Sequence, residues 1–126
     1  MISLGIDIGS KNIGIAISRS GMVVEPVGVW PALPQDKFFT RLAALTKKEK
    51  VERIVVGSNK SASKKQKTAW QKFAEKIYAA TSVPVSEIEE DFSTEEAKVR
   101  TKSKNRAAHE DATAAQIILE RFLEEL

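Results

Sequence analysis

The sequence predicts an α/β domain built on a mixed sheet, and three observations carry that expectation. The chain opens with two alternating aliphatic runs joined by a turn, LGIDIGSKNIGIAIS over residues 4–18. Further on, Arg53 to Gly57 (RIVVG) is a short continuous apolar run closed by glycine, the form of a parallel strand covered on both faces. Around it, stretches with apolar residues at helical spacing alternate with short strand-like runs. With 126 residues the chain has the length of a single domain, spanning 1–126, with one core.

The opening hairpin places Leu4, Ile6 and Ile8 on one face of its first strand and Gly5, Asp7 and Gly9 on the other. In the second strand Ile13, Ile15 and Ile17 repeat the pattern opposite Asn12, Gly14, Ala16 and Ser18. Asp7 therefore stands on a face nearly bare of side chains. A carboxylate inside an aliphatic strand is costly to bury alone, so it is expected to meet a metal ion, a cation or water. The glycines around it have two readings. They form turns or let a helix pack closely, or they leave clearance for a phosphate backbone.

Met22 to Trp30 (MVVEPVGVW) reads as a third strand, which Pro26 directs to a sheet edge or a bulge. A helix from Asp36 to about Glu49 follows, with Phe38, Leu42 and Leu45 as its apolar stripe beside Phe39 and Ala43. After the RIVVG strand, the polar segment Ser58 to Gln66 reads as a loop. The next helix has an inward stripe of Trp70, Phe73, Ala74 and Ile77, and Trp70 is assigned to the core rather than to base stacking. Val83 to Ile88 is the fifth strand, an edge strand by its Pro84, and it delivers Glu89, Glu90 and Asp91 to its C-terminal end. Ser93 to Glu96 has the form of a capping box, and the helix it opens gives way in the basic stretch Lys98 to Arg106. The last helix, about Glu110 to Glu124, carries Asp111, Ala115, Ile118 and Phe122 on one face, with Asp111 in its first turn.

Composition narrows the function. There is no cysteine, so neither a disulfide framework nor a thiolate metal site is available. No leader-like or membrane-length apolar stretch is present, and a cytoplasmic protein without membrane association is expected. The net charge is only +3, but it is patterned. Lys60, Lys64, Lys65, Lys67, Lys72 and Lys76 form one basic segment, and Lys98 to Arg106 another, on either side of an acidic knot from Glu87 to Glu96. A carboxylate cluster between basic segments suits a polyanion held near a metal centre. Asp7, the Glu89–Asp91 cluster and Asp111 come from separate elements. Oxygen donors with a single histidine in the chain suit a hard cation, Mg²⁺ or Mn²⁺. Two such ions about 4 Å apart would clamp the attacking water and the leaving oxygen of a phosphodiester.

The strings GIDIGSKNIGIAIS, VVG, EEDFSTEEA and EDATAAQIILERFL follow the order and spacing of the motifs of the YqgF/RuvX family, which this chain resembles over nearly its whole length. The resemblance implies an RNase H-like fold, with a five-stranded mixed sheet, its first three strands antiparallel, and helices on both faces. It also implies a Mg- or Mn-dependent endonuclease, related to Holliday junction resolvases and regarded as maturing pre-16S ribosomal RNA in ribosome biogenesis. Position by position, Asp7, Glu90 and Asp111 match the family's catalytic, metal-holding carboxylates. Ser10 and Lys11 match the turn after the first strand, and Ser93 and Thr94 a polar pair. The chain departs from the family's D-E-R motif with Glu89 and Asp91 in place of aspartate and arginine. It also has a lysine-rich run after Gly57 where the family has an Asn-Met-Asp-Gly type loop. Lys60, Lys64, Lys65, Lys102, Lys104 and Arg106 are the expected nucleic-acid contacts.

Two other readings remain open at this point. One is a nucleic-acid-binding RNase H-like module whose catalysis is lost through Asp91 and the altered loop. The other is a fragment of an actin-like phosphotransferase, because Asp7-Ile8-Gly9-Ser10 resembles the phosphate-binding turn of that class. Such proteins use two lobes, and this length supplies one. The expected partner is structured RNA or branched DNA, bound by a monomer or a homodimer.

Overall fold

The computed structural model describes residues 1–9, 11–59, 62–90 and 106–126, and at 59, 90 and 106–111 the backbone alone. Its elements are β1 (Ser3–Asp7), β2 (Asn12–Ser18), β3 (Glu25–Pro31), α1 (Gln35–Glu49), β4 (Arg53–Asn59), α2 (Lys64–Thr81), β5 (Val85–Glu90) and α3 (Arg106–Glu124). The strands form one sheet in the order β3-β2-β1-β4-β5. Neighbours β1, β2 and β3 are antiparallel, whereas β1, β4 and β5 are parallel, so the mixed five-stranded sheet expected from the sequence is present.

Strand alternation sends the two sets of side chains to two separate cores. Leu4, Ile6, Ile13, Ile15, Ile17, Ile54 and Val56 pack against Phe38 and Leu42 of α1 and Ile77 of α2. The other face buries Ala16, Val55 and Ile88 under Ala115, Ile118 and Leu119 of α3. RIVVG is thus covered on both sides, which explains its unbroken apolar run. Between α1 and α2 lies an aromatic cluster. Phe38 meets Trp30 edge-on with ring centroids 6.0 Å apart, and Phe39 lies 5.2 Å from Phe73. Each such pair contributes ~0.5–1.5 kcal/mol beyond the area it buries.

β3, which contains Pro26, lies at one edge of the sheet as its missing N–H group requires, and β5 lies at the other, with Pro84 just before its first residue rather than within it. In β3 the register to β2 slips between Ile15 and Ala16, which pair with Gly28 and Pro26, so Val27 is the extra residue of a bulge. Gly28 takes φ +149°, a value that side-chain-bearing residues avoid.

β3 begins at Glu25 rather than Met22, β5 spans Val85–Glu90 rather than Val83–Ile88, and three further boundaries that bear on the site differ from the sequence expectation. First, β4 continues through Ser58 and Asn59, which pair with Glu89 and Glu90 of β5. Polar side chains there read as loop, but the buried Ser58 hydroxyl donates to Glu87 Oε1 at 3.0 Å and so carries no unpaired polar cost. Second, α2 begins at Lys64 with Ser63 as N-cap. Ser63 Oγ accepts from the Gln66 N–H (3.2 Å) and Gln66 Oε1 from the Ser63 N–H (3.0 Å), a capping box that the S-x-x-Q spelling already contained. Lys64 and Lys65 are therefore helical, and the loop after β4 is short. Third, α3 starts at Arg106 rather than near Glu110, extended by Ala107 and Ala108, which favour helix. Asp111 consequently falls in the second turn, beyond the reach of the helix-dipole role an N-terminal carboxylate can have.

The predicted capping box at Ser93 to Glu96 and the basic stretch Lys98 to Asn105 lie outside the described residues. Among the described residues no helix is long and apolar enough to cross a membrane.

Candidate nuclease centre

Asp7 is the last residue of β1. Its lateral partners are Gly14 on β2 and Gly57 on β4, so neither adjacent strand places a side chain beside it. Asp7 shares a face with Gly5, the α3 face, and is itself half-buried. The bare face foreseen for Asp7 is only partly bare, because α3 occupies it. A methyl group on Gly5 would lie 2.6 Å from the Ala115 carbonyl oxygen and 2.8 Å from Leu119 Cβ. Gly5 therefore serves helix packing. Gly9 serves the turn, since a Cβ there would meet the Asn12 carbonyl. At these two positions the clearance-for-phosphate reading is replaced by the structural one.

The direction of α3 decides which end of the sheet its carboxylate reaches. Residues 120–124 adjoin Gly21, Met22 and Val24 of the β2–β3 connection. That connection leaves β2 at Ser18, the partner of Ser3 at the start of β1. The N-terminal end of α3 consequently lies toward the end of β1. From the Gly5–Ala115 contact, position 111 is four helical residues away (~6 Å) and Asp7 is two strand residues away (~6.6 Å), both toward the same end of the sheet. The parallel strands β4 and β5 end there too, with Asn59 opposite Glu90.

The register separates the acidic residues of β5. Glu89 pairs with Ser58, on the α1/α2 side, and its carboxylate is 4.0 Å from Lys67 Nζ of α2. It is thus turned away from the Asp7 face. Position 90 lies two beyond Ile88, whose strand partner Gly57 is also the partner of Asp7. Asp91 is outside the described residues. No three acidic or histidine side chains among those described converge on a metal site, and the side chains at 90 and 111 stand outside that set.

The expected nucleic-acid contacts divide similarly. Lys11 is exposed in the turn after Gly9, and its carbonyl accepts from the Ala32 N–H at 2.9 Å. Lys64 and Lys65 are exposed in the first turn of α2, which has no acidic residue. Cations at a helix N-terminus oppose the helix dipole, typically by ~0.3–1 kcal/mol each at low salt, so this turn is electrostatically ready for an anion. Arg106 opens α3. Ser10, Lys60, Lys102 and Lys104 lie outside the described residues.

One assignment from the sequence changes outright. Trp70 is not in the buried core but half-buried, lining a cleft of about 500 Å³ beside Ile8, Gly9 and Phe73. Its helical spacing with Phe73 and Ile77 resembled a core stripe, but the interior is filled by Ile77, which is fully buried, and by Phe73, which packs against the core.

The architecture is that of the RuvC-like, RNase H-type resolvases. The chain superposes on Thermus thermophilus RuvC in complex with a Holliday junction substrate with TM-score 0.63 at 15% identity, covering 99% of this chain and 94% of that one. The fowlpox virus Holliday junction resolvase gives 0.60 at 15% identity with complete coverage of both chains. Residues 1–125 match the family described as "RuvX: Holliday junction resolvase", and the chain belongs to that RuvX/YqgF family. Relatives include the "Putative pre-16S rRNA nuclease" of Dictyoglomus turgidum, 31% identical over 98% of this chain and 94% of its own length. The protein of the same name from Rickettsia typhi is 33% identical over 95% of this chain and 83% of its own.

Proposed function

We propose that this protein is a metal-dependent endonuclease that hydrolyses phosphodiester bonds in structured nucleic acid, with precursor 16S ribosomal RNA or branched DNA as substrate. The single observation that carries this reading is the position of Asp7. It ends a central strand between two glycines, at the sheet end toward which the backbone of positions 90 and 111 also runs. Family membership supports the same activity.

In this reading Asp7, Glu90 and Asp111 hold Mg²⁺ or Mn²⁺, for which an all-carboxylate donor set is suited. Bound there, the ion supplies Lewis-acid stabilisation of the charge that develops on the attacked phosphate. The glycines beside Asp7 leave room for that phosphate. Lys11, Lys64 and Lys65 neutralise phosphates on either side and fix the strand, while Lys60, Lys102, Lys104 and Arg106 are further candidate cations and Ser10 a candidate hydroxyl donor for the same phosphates. A water oxygen forms the new bond to phosphorus and gives up a proton as the bond to the leaving sugar oxygen breaks, and that oxygen takes up a proton. A cytoplasmic setting, as monomer or homodimer, accords with such a role.

The test is cleavage of precursor-rRNA fragments and four-way junctions with Mg²⁺ or Mn²⁺, comparing the parent with Asp7→Asn. Loss of a metal-holding carboxylate removes several kcal/mol of transition-state stabilisation, so the rate is expected to fall about 100-fold or more with the fold intact. Equal rates in parent and variant reject the assignment. Salt-dependent binding without cleavage under either ion identifies a binding module instead.

A further inference from the structure

The cleft at Trp70 lies at the Asp7 end of the sheet but on the opposite side, between α1 and α2. Ile8 and Gly9, which follow Asp7 directly, form part of its wall, and Trp70 and Phe73 of α2 form another. Lys72 and Lys76 also line it from α2, and among the described residues no lining residue is acidic. At about 500 Å³ the cavity is within the size range of small-ligand sites.

Its two aromatic residues are held differently. Phe73 is fixed in the aromatic cluster by Phe38 and Phe39, at 5.8 and 5.2 Å between ring centroids. Trp70 makes no ring stacking or cation–π contact among the described residues. Lys76 Nζ donates to Gln35 Oε1 at 3.2 Å across the cleft, which uses one of the three ammonium donors and leaves two for another acceptor. The complementary ligand joins a flat, largely apolar ring to negative charge.

Resting on the nucleic-acid reading above, we infer that this cleft binds an unpaired nucleotide of the substrate strand, its base stacked on Trp70 and its phosphate held by Lys72 and Lys76. Bases inside a duplex have both faces covered by their neighbours and cannot stack on a protein ring, so the subsite selects unpaired positions. The β1–β2 turn separates the cleft from Asp7. A strand crossing that turn places a bond near Asp7 while an unpaired nucleotide occupies the cleft. Cleavage is thereby directed to bonds beside single-stranded or distorted segments.

The chain has two tryptophans, and Trp30 is only 5% exposed, so fluorescence quenching reports on Trp70. The probe is a short single-stranded oligoribonucleotide, with its duplex form and uridine monophosphate as comparisons, all without divalent ions. The single strand is expected to quench saturably. Trp70→Ala is expected to abolish the quenching and weaken single-strand binding by roughly tenfold, as for loss of one base–aromatic stack, while duplex affinity stays constant. Trp70→Phe retains most of the affinity because it retains a ring. Lys72→Gln with Lys76→Gln lowers the salt dependence of single-strand binding.

Single-strand affinity unchanged in Trp70→Ala overturns the proposal. So does quenching by the mononucleotide as strong as by the strand, which assigns the cleft to free nucleotides. Equal losses for single strand and duplex overturn it as well. The two readings fail separately. Quenching without metal-dependent cleavage removes the nuclease and keeps the subsite, whereas cleavage with unimpaired single-strand binding by Trp70→Ala does the reverse.

Discussion

Gly5 of β1 and Ala115 of α3 approach so closely that a single methyl group on Gly5 would sit 2.6 Å from the Ala115 carbonyl oxygen. That contact sets the height of α3 above the sheet, and with it the level at which the helix backbone passes position 111. The obstacle is a helix carbonyl rather than a flexible side-chain tip, so it cannot yield without moving the helix.

Gly5→Ala is accordingly expected to destabilise the fold by roughly 1–3 kcal/mol, the usual cost of overpacking a filled interior. Urea denaturation measures this directly. If α3 carries Asp111 to the centre, cleavage falls in the same variant even where it remains folded, and parental stability and activity together contradict the packing argument.

Adjacent residues on β5 should respond in opposite ways. Glu89 pairs with Ser58 on the α1/α2 side and lies 4.0 Å from Lys67, an exposed pair that contributes little. Glu89→Gln is expected to retain parental cleavage and change stability by less than about 0.5 kcal/mol. Glu90→Gln is expected to lose activity about 100-fold or more if Glu90 has the metal-holding role proposed for it. Rates measured under saturating Mn²⁺ decide it, and a reversed order places the centre on the wrong face of β5.

Charge at the start of α2 makes a separate prediction. Lys64→Gln and Lys65→Gln each remove a cation from a helix N-terminus, and so are neutral or slightly stabilising in thermal unfolding. Each should nevertheless weaken nucleic-acid binding across sequences and lower the slope of log K against log salt by about 1. Unaltered slopes mean that phosphates do not reach this turn.

The Arg19–Glu49 pair gives a pH dependence. Arg19 Nε donates to Glu49 Oε1 at 3.0 Å, and this hydrogen bond, reinforced by the opposite charge, holds Glu49 below the ordinary glutamate range while raising Arg19. A carboxyl with a lowered folded pKa adds stability that is fully present above its unfolded value and is lost as pH falls through its folded value. In Arg19→Gln the Glu49 titration, followed by NMR, is expected to move back up toward the ordinary value. The stability difference from the parent should be present at neutral pH and vanish in acid. An unmoved Glu49 titration disproves the pairing in solution.

Sequence by itself determined the strands and the identity of the two faces. The alternation in Leu4–Ile8 and Ile13–Ile17, the unbroken RIVVG run, and Pro26 in an edge strand each follow from side-chain direction and a missing donor, which are local properties. The stripe of Ala115, Ile118 and Phe122 was legible for the same reason. Asp7 stood out because a charged residue interrupts an aliphatic strand, and the family motifs marked Glu90 and Asp111.

Only the tertiary structure decided what each face meets. Whether Gly5 admits a helix or a phosphate depends on where α3 lies, some 110 residues along the chain. That Glu89 turns toward Lys67 follows from the parallel register of β4 with β5, which a one-residue shift would invert. Polarity in Ser58 and Asn59 implied a loop, but the partner strand and the Glu87 carboxylate satisfy those groups inside the sheet. Trp70 has the spacing of a core residue and becomes a cleft wall because the interior under α2 is filled at Ile77 and Phe73. Periodicity assigns a residue to a face of its own element, and the long-range packing that assigns that face to a core, a cleft or a site is not a local quantity.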